Sequence, residues 1–229
     1  MSSFVLVHGA MHGAWCWDRV VPLLARDPRV AGVCAVDLPG HGLRREIKPS
    51  EAISLTDYVD AVVADIEAAS LTDIILVGHS LAGITLPHVA ARLPERIRRI
   101  VYLSTTNPAL GTSVQDELVA HPLSPTARGI DVLDSFCSDL DGPTALWLRG
   151  QLCPEPPGPM SEKSTRVAGP PGTPSTYLLL EDDLTLVAAY QLDQAKRIGA
   201  DEIVRLAAGH SAFASRPEAL AGLLLRYAA

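Results

Sequence analysis

Short apolar runs alternate along the chain with longer segments in which apolar residues recur at helical spacing. Such alternation is typical of βαβ units, in which helices join parallel strands. The apolar runs predict six strands, at residues 4–7, 33–37, 74–77, 100–103, 176–180 and 203–206. The helical spacing predicts helices at residues 16–25, 55–69, 81–92, 186–198 and 216–227. The pattern therefore predicts an α/β fold with a mostly parallel six-stranded sheet flanked by helices.

The alternation is interrupted between the fourth and fifth predicted strands, over residues 107–175. We interpret this segment as a short insertion into a single domain, whose core is formed by residues 1–106 and 176–229. Its pattern predicts short helices at 114–120, 130–140 and 143–151, and then a proline- and glycine-rich stretch from Pro154 to Pro174. A long irregular segment in a compact domain is more often functional or mobile than accidental. The alternative is a plain surface connector.

The third predicted strand breaks into a turn of small residues with a serine at its apex. Residues 74–83 read Ile-Ile-Leu-Val-Gly-His-Ser-Leu-Ala-Gly, which places Ser80 between a strand and a helix. A serine held in a strained turn needs small neighbours two residues before and after it, here Gly78 and Ala82. The pattern indicates a nucleophile elbow, which presents a serine hydroxyl for attack. The alternative is an ordinary serine cap on the next helix.

A glycine-broken loop follows the first predicted strand and begins His8-Gly9-Ala10-Met11. Backbone N–H groups on such a loop can bind the oxyanion that forms when a serine attacks a carbonyl group. By position, the two donors are the amides of Ala10 and Leu81. We also expect Gly9 and Met11 to border the substrate pocket.

A serine nucleophile needs a general base, which in this arrangement stands late in the chain. His210 directly follows the last predicted strand, where an imidazole can reach Ser80 from above the sheet. For the histidines of the early loops we expect structural hydrogen bonds, and we expect His79 to point away from the serine. The competing histidines are His8, His12, His41, His79, His88 and His121.

The acid of the predicted site follows the fifth predicted strand, where the chain reads Glu181-Asp182-Asp183. A carboxylate at this position can hold the imidazole in the required tautomer and stabilise the imidazolium. The strand at 100–103 is followed by Ser104 and not by a carboxylate, which favours the later position. The residues by themselves leave Asp182 and Asp183 as candidates.

In their order and spacing, these motifs resemble those of the α/β-hydrolase superfamily over nearly the whole chain. More narrowly, the chain resembles the small esterases related to plant methylesterases and hydroxynitrile lyases. The similar segments are residues 5–17, residues 36–42 and the ending Gly209-His210-Ser211. The resemblance implies an α/β-hydrolase fold in which the insertion at residues 107–175 is a short cap that roofs the pocket. It also favours Asp183 as the acid, because the apolar and Tyr-Gln spacing that follows resembles the family pattern.

The lyase branch of this group is distinguished by two residue types. Hydroxynitrile lyases of this fold carry a threonine in the oxyanion loop and a lysine directly after the catalytic histidine. This chain has Gly9 and Ser211 at the matching positions. The resemblance therefore favours an esterase over a cyanohydrin lyase.

Together the motifs predict a serine hydrolase that cleaves a small, fairly apolar carboxylic ester through an acyl-enzyme. Other chemistry on the same residues stays open: amide, lactone or thioester cleavage, acyl transfer or cyclisation, and cofactor-free oxygenation. A ligand-binding receptor with slow turnover is a further alternative. We expect no metal and no organic cofactor. From the cap, we expect the pocket to be lined by Phe136, Leu146, Trp147 and Met160.

Charge and composition limit the partners that we expect. The formal net charge is −7, and no run of lysine and arginine exceeds two residues. This balance argues against nucleic acid and anionic membranes, and it leaves a small-molecule substrate, with a homodimer also open. No apolar run approaches the ~20 residues of a membrane span. Because the first strand starts the chain, we expect no signal peptide and a cytoplasmic location. The four cysteines are not spaced as metal ligands.

Overall fold

The computed structural model describes residues 1–229, and its centre is a single sheet of six strands. The strands pair in the order β2-β1-β3-β4-β5-β6, and every pairing is parallel. The prediction of a mostly parallel six-stranded sheet is confirmed, and the sheet is parallel throughout. The strands are β1 (Ser2–Val7), β2 (Val30–Val36), β3 (Ile74–His79), β4 (Ile97–Leu103), β5 (Ser175–Leu180) and β6 (Glu202–Leu206).

The central strands are almost continuously apolar because both faces of the sheet are covered. Every residue of β1 and β3 is buried. Alternate side chains of one strand enter separate apolar clusters, so Val5 packs on one face of the sheet while Phe4 and Leu6 pack on the other. This arrangement explains why these strands show no alternation of polar and apolar residues.

Prolines divide two of the predicted helices. The prediction at 16–25 becomes the 3₁₀ helix Ala14–Trp17 and a separate helix that has Pro22 in its first turn. The prediction at 81–92 becomes Ser80–Ile84 and a helix with Pro87 in its first turn. Proline lacks a backbone N–H and therefore fits the start of a helix better than its interior. The α-helices are α1 (Val21–Ala25), α2 (Leu55–Ala68), α3 (Leu86–Arg92), α4 (Val114–Ala120), α5 (Val132–Phe136), α6 (Gly142–Gln151), α7 (Pro157–Ser161), α8 (Ala188–Arg197), α9 (Ala212–Ser215) and α10 (Pro217–Leu225).

The segment between β4 and β5 contains α4 to α7. The helix predicted at 130–140 is shorter, since α5 ends at Phe136. The proline-rich stretch contains α7, a helix that the pattern does not predict and that carries prolines in its first turn. Within the same stretch Pro156 and Pro159 are buried, as is Cys153 just before it. The stretch is therefore packed against the fold at these residues and does not simply lie over its surface.

The strand order places two loops side by side. β1 lies between β2 and β3, so the connections after β1 and β3 leave the sheet next to each other. In open α/β sheets, ligands bind at such a point, outside the carboxyl ends of the strands. The loop after β1 carries Gly9 and Ala10, and β3 leads directly into Ser80. No helix combines the length and the apolar character that crossing a bilayer requires.

Candidate active site

Ser80 occupies a strained position at the junction of β3 and the helix Ser80–Ile84. Its φ angle is +55°, in the left-handed region that a residue with a side chain adopts at a cost. The chain around it is packed too closely for larger residues, because a Cβ on Gly78 would lie 2.7 Å from the Leu86 side chain. Ala82 is also buried. The small residues of the motif are thus required by the packing of this turn.

Ser80, His210 and Asp183 form a hydrogen-bonded chain. His210 Nε2 lies 3.1 Å from Ser80 Oγ, and His210 Nδ1 lies 2.7 Å from Asp183 Oδ2. His210 and Asp183 are both buried. Because Nδ1 faces a carboxylate, it carries the proton and leaves Nε2 to accept the serine hydroxyl hydrogen. The three residues therefore have the geometry of a nucleophile, a base and the group that orients the base.

The carboxylate of Asp183 is held by three further donors. The backbone N–H groups of Thr185 and Leu186 donate to Oδ1 over 2.7 and 2.9 Å. The hydroxyl of Ser104 donates to Oδ2 over 2.7 Å. Ser104 directly follows β4, so this residue supports a carboxylate that comes from β5. The alternative acid, Asp182, is exposed and makes no hydrogen bond to His210.

The loop after β1 lies directly against the serine. A Cβ on Gly9 would lie 2.7 Å from Ser80 Cβ, so only glycine permits this approach. The N–H of Ala10 donates no hydrogen bond within the protein. The N–H of Leu81 belongs to the first turn of a helix, where backbone donors lack intrahelical partners. Ala10, Leu81 and Ser80 line one cavity, so both N–H groups lie near the place where negative charge would develop.

Three buried histidines support these loops. We expected His79 to point away from the serine. Its Nε2 lies within the site, 2.9 Å from the backbone oxygen of His210. The Nδ1 atom of His12 lies 2.6 Å from the backbone oxygen of Ala10, and His8 accepts the N–H of Leu38. Burial is the main cause that lowers the pKa of His12 to about 3, and it lowers those of His8 and His79 well below 6.5. These rings are therefore neutral structural groups at neutral pH.

A cavity of ≈ 190 Å³ lies beside Ser80. Its walls are mainly apolar and come from both the loops after the strands and the inserted segment. The one charged side chain among them is Glu155. The lining residues are Ala10, Met11, Ser80, Leu81, Thr106, Val114, Leu118, Pro125, Thr126, Val132, Phe136, Glu155, Met160, Thr185 and Leu186.

Two of the cap residues predicted to line the pocket lie outside it. Leu146 is 74% exposed on α6. Trp147 packs instead against Trp15, with ring centroids 5.4 Å apart. The reason is that α6 lies outside the cavity, beside the helix Ala14–Trp17. Gly9 is also absent from the lining because it packs on Ser80.

Sequence reasoning missed several cavity residues. Val114 and Leu118 lie one helical turn apart on α4, and that spacing could have indicated a face towards the pocket. Glu155 gave no such signal, because a single carboxylate in a proline-rich stretch has no recognisable pattern. No group of three or more His, Cys, Asp or Glu side chains is arranged to hold a metal ion.

Residues 4–223 match the model of a protein family described as the alpha/beta hydrolase family, and the chain belongs to that family. Among individual relatives, a carbendazim hydrolyzing esterase of Nocardioides sp. (strain SG-4G) is 40% identical over 116 residues, covering 50% of this chain and 46% of the relative. A pyrethroid hydrolase of Sphingobium wenxiniae is 28% identical over 254 residues, covering 100% of this chain and 88% of the relative. Plant methylesterases are also among the relatives, which confirms the predicted resemblance.

The chain spans less than half of the length of some relatives: it covers 46% of the carbendazim hydrolyzing esterase and 40% of a probable esterase from Oryza sativa. Among solved structures, an extracellular α/β-hydrolase from a Paenibacillus species has a TM-score of 0.82 at 25% identity and covers 100% of this chain and 99% of that one. That hydrolase is described as sharing structural and functional homology with tobacco salicylic acid binding protein 2. The predicted α/β-hydrolase fold is therefore confirmed.

Proposed function

We propose that this protein is a serine esterase that cleaves small, fairly apolar carboxylic esters through an acyl-enzyme. The observation that carries the proposal is the 3.1 Å contact between Ser80 Oγ and His210 Nε2, with Asp183 on the other ring nitrogen. Relatives named as an esterase, a pyrethroid hydrolase and methylesterases support ester cleavage as the chemistry.

In the proposed mechanism, Ser80 Oγ attacks the ester carbonyl carbon while His210 Nε2 takes the hydroxyl proton. The carbonyl electrons move to oxygen, and the N–H groups of Ala10 and Leu81 bind the resulting oxyanion. When the oxyanion collapses, the alcohol leaves with the proton from His210. Water then attacks the acyl-enzyme by the same route and releases the acid. Asp183 keeps the imidazole in the reactive tautomer throughout.

The cavity supports the proposed substrate class. A volume of ≈ 190 Å³ with mainly apolar walls favours a small ester without charged groups. The carboxylate of Glu155 already accepts hydrogen bonds from three protein groups, so it does not favour a cationic substrate strongly. The cytoplasmic location stays a prediction.

The test is intact-protein mass spectrometry after treatment with a fluorophosphonate, in which Ser80 Oγ would displace fluoride from phosphorus. We expect one adduct on the wild type and none on Ser80→Ala or His210→Ala. His88→Ala is the matched control, since His88 is a partly buried histidine away from the site and its loss should leave the adduct intact.

Turnover of an ester panel by the same four proteins completes the test. We expect multiple turnovers of small activated esters by the wild type and by His88→Ala only. A folded wild type that forms no adduct and turns over no ester would overturn the proposal and favour a ligand receptor. An adduct that persists in Ser80→Ala would reject Ser80 as the nucleophile.

A further inference from the structure

The carboxylate of Glu155 is a largely buried charged group that the proposed mechanism does not use. Its side chain is 11% exposed and borders the cavity next to Ser80. The carboxylate accepts hydrogen bonds from Met11 N–H over 2.8 Å and from Tyr58 OH over 2.7 Å. Nε2 of His41 lies 3.0 Å from the oxygen that Met11 contacts. Removing a carboxylate from water costs free energy unless it is paired in this way. We therefore ask what the contacts of Glu155 do for the site.

Met11 adopts an unfavourable backbone conformation, and the hydrogen bond to Glu155 stabilises it. Its φ angle is +66°, which a residue with a side chain adopts only when the surroundings determine it. Glu155 accepts the N–H of Met11, and the N–H of Cys153 donates to the C=O of Met11 over 3.0 Å. Both polar backbone groups of Met11 are therefore held by one short part of the inserted segment, residues 153–155.

The contact with Glu155, together with one from His12, holds the peptide group between Ala10 and Met11. The oxygen of that peptide lies 2.6 Å from His12 Nδ1, and its N–H donates to Glu155. A peptide unit is planar, so two partners on its opposite edges fix its orientation. The orientation of this plane in turn limits where the preceding N–H, that of Ala10, can point. That N–H is free of protein partners and borders the cavity.

We propose that Glu155 is a positioning residue that fixes the Ala10–Met11 peptide and thereby aims the Ala10 N–H at the oxyanion. This inference rests on the proposed function. It assigns to the inserted segment a part in the rate of reaction as well as in the shape of the pocket. Tyr58 and His41 hold the carboxylate in place from the side of the fold.

The chemistry of the three contacts makes glutamine an informative replacement. Tyr58 donates through a hydroxyl that burial, followed by the nearby carboxylate, keeps protonated by raising its pKa. Met11 donates through its backbone N–H and therefore needs an oxygen acceptor, whereas the Tyr58 hydroxyl can also accept a hydrogen bond. An amide offers one acceptor oxygen where the carboxylate offers two. Glu155→Gln therefore keeps nearly the same size but loses the negative charge that strengthens the contact to the Met11 N–H, and it retains that contact only when its single oxygen faces Met11.

The experiment compares Glu155→Gln with Glu162→Gln. Glu162 is a glutamate of the same segment that accepts a backbone N–H, from Leu55 over 2.9 Å, away from the serine. For an activated ester, we expect Glu155→Gln to lower kcat by about 10- to 100-fold, below the loss for removing an oxyanion donor outright, with little change in KM. We expect kcat of Glu162→Gln to equal that of the wild type.

Binding of a trifluoromethyl ketone provides a readout that a merely structural role would not change. Ser80 adds to its carbonyl carbon, His210 takes the serine proton, and the oxygen becomes an oxyanion without any leaving group. We expect Glu155→Gln to weaken this inhibitor by about the factor by which kcat falls, because both depend on the same oxyanion. Tyr58→Phe should have a smaller effect on both, since it leaves the contact to Met11 in place.

The outcomes separate this inference from the proposed function. A wild type that neither turns over esters nor binds the ketone would overturn both. An active wild type with equal kcat and equal ketone affinity in Glu155→Gln and Glu162→Gln would overturn only the role of Glu155. If Glu155→Gln does not fold, Glu155→Asp is the second variant, because its carboxylate is one methylene too short to reach Met11. An unchanged kcat in a folded Glu155→Asp would equally reject the inference.

Discussion

The loops that follow the strands and the inserted segment build one cavity in different ways. The first group, which we call the rim, consists of the loops after β1, β3, β5 and β6, and its residues Asp183 and His210 are buried and held by several hydrogen bonds. The insertion, residues 107–175, supplies mainly apolar walls and leaves side chains such as Val119 and Leu146 more than 70% exposed. On the proposed function, we expect the rim to determine the reaction and the insertion mainly to determine which substrates fit.

The insertion is itself divided. Its first part contains α4, α5 and α6, of which α4 and α5 contribute to the apolar wall. Its second part is less regular, yet Cys153 and Glu155 bond to the backbone of the rim at Met11. Irregular backbone cannot satisfy its own polar groups as a helix does, so such groups seek partners elsewhere. Both parts of the insertion are joined to the rim, because Ser135 and Asp139 of the first part also form hydrogen bonds, to Thr185 and to the N–H of Gly209.

The largest effect is expected from removing the charge of the rim carboxylate. Asp183→Asn should lower kcat for an activated ester by about 10⁴-fold, because an amide can hold the imidazole in the wrong tautomer. Asp182→Asn is the matched control at the adjacent exposed position and should retain kcat. Steady-state kinetics of both variants measure the effect. Equal activity of the two variants would show that Asp183 is not the acid.

Acid should destabilise the protein through three buried histidines, two on the rim and one at the end of β3. Burial lowers the pKa of His8, His12 and His79, so the unfolded state binds their protons first as pH falls below 6.5. The stability that these neutral rings contribute is therefore fully present above pH 6.5. It is lost as pH falls from there towards about 3, the pKa of His12. If the unfolded state binds three more protons than the folded state, the free energy of unfolding falls by up to about 4 kcal/mol for each pH unit.

Urea unfolding between pH 7 and pH 5 measures this slope. His12→Gln should reduce the slope by about one proton, whatever its effect on stability at pH 7. A free energy of unfolding that is constant over this range would mean that the rings already bind protons in the folded protein.

A smaller effect is expected from the wall that the insertion supplies. Met160 lines the cavity on α7. Met160→Ala should enlarge the pocket and shift the ratio of kcat/KM between bulky and small esters by about 10-fold or more in favour of the bulky ones. The kcat for the small ester should change little, because no rim residue is altered. An equal loss of kcat for every ester would show that the wall also positions the reacting groups.

The smallest effect is expected at the outer face of the insertion. Leu146 is 74% exposed and does not line the cavity. Leu146→Ser should change the free energy of unfolding by no more than about 0.5 kcal/mol and should leave kcat/KM unchanged. A clear change in substrate preference would show that α6 closes over the cavity during turnover, so this variant tests where the wall ends.

The predictable part of the molecule consists of local signals. The apolar runs predict the six strands, and a short strand-to-turn motif singles out Ser80. His210 follows from its place after the last strand. The catalytic roles of these residues stay predictions, but their nearness follows from parallel strands, whose carboxyl ends meet at one edge of the sheet.

By itself, the sequence determined the class of fold and the edge of the sheet at which the candidate site lies, because hydrophobic periodicity and tight turns depend on neighbours along the chain. Only the tertiary structure decided that Ser104 supports Asp183, that His79 faces the backbone of His210, and that α6 turns Leu146 to solvent. It also brought Glu155 to Met11 across a separation of 144 residues. Such contacts depend on how distant segments pack, and a single polar residue in an irregular stretch carries no periodicity from which its partner could be inferred.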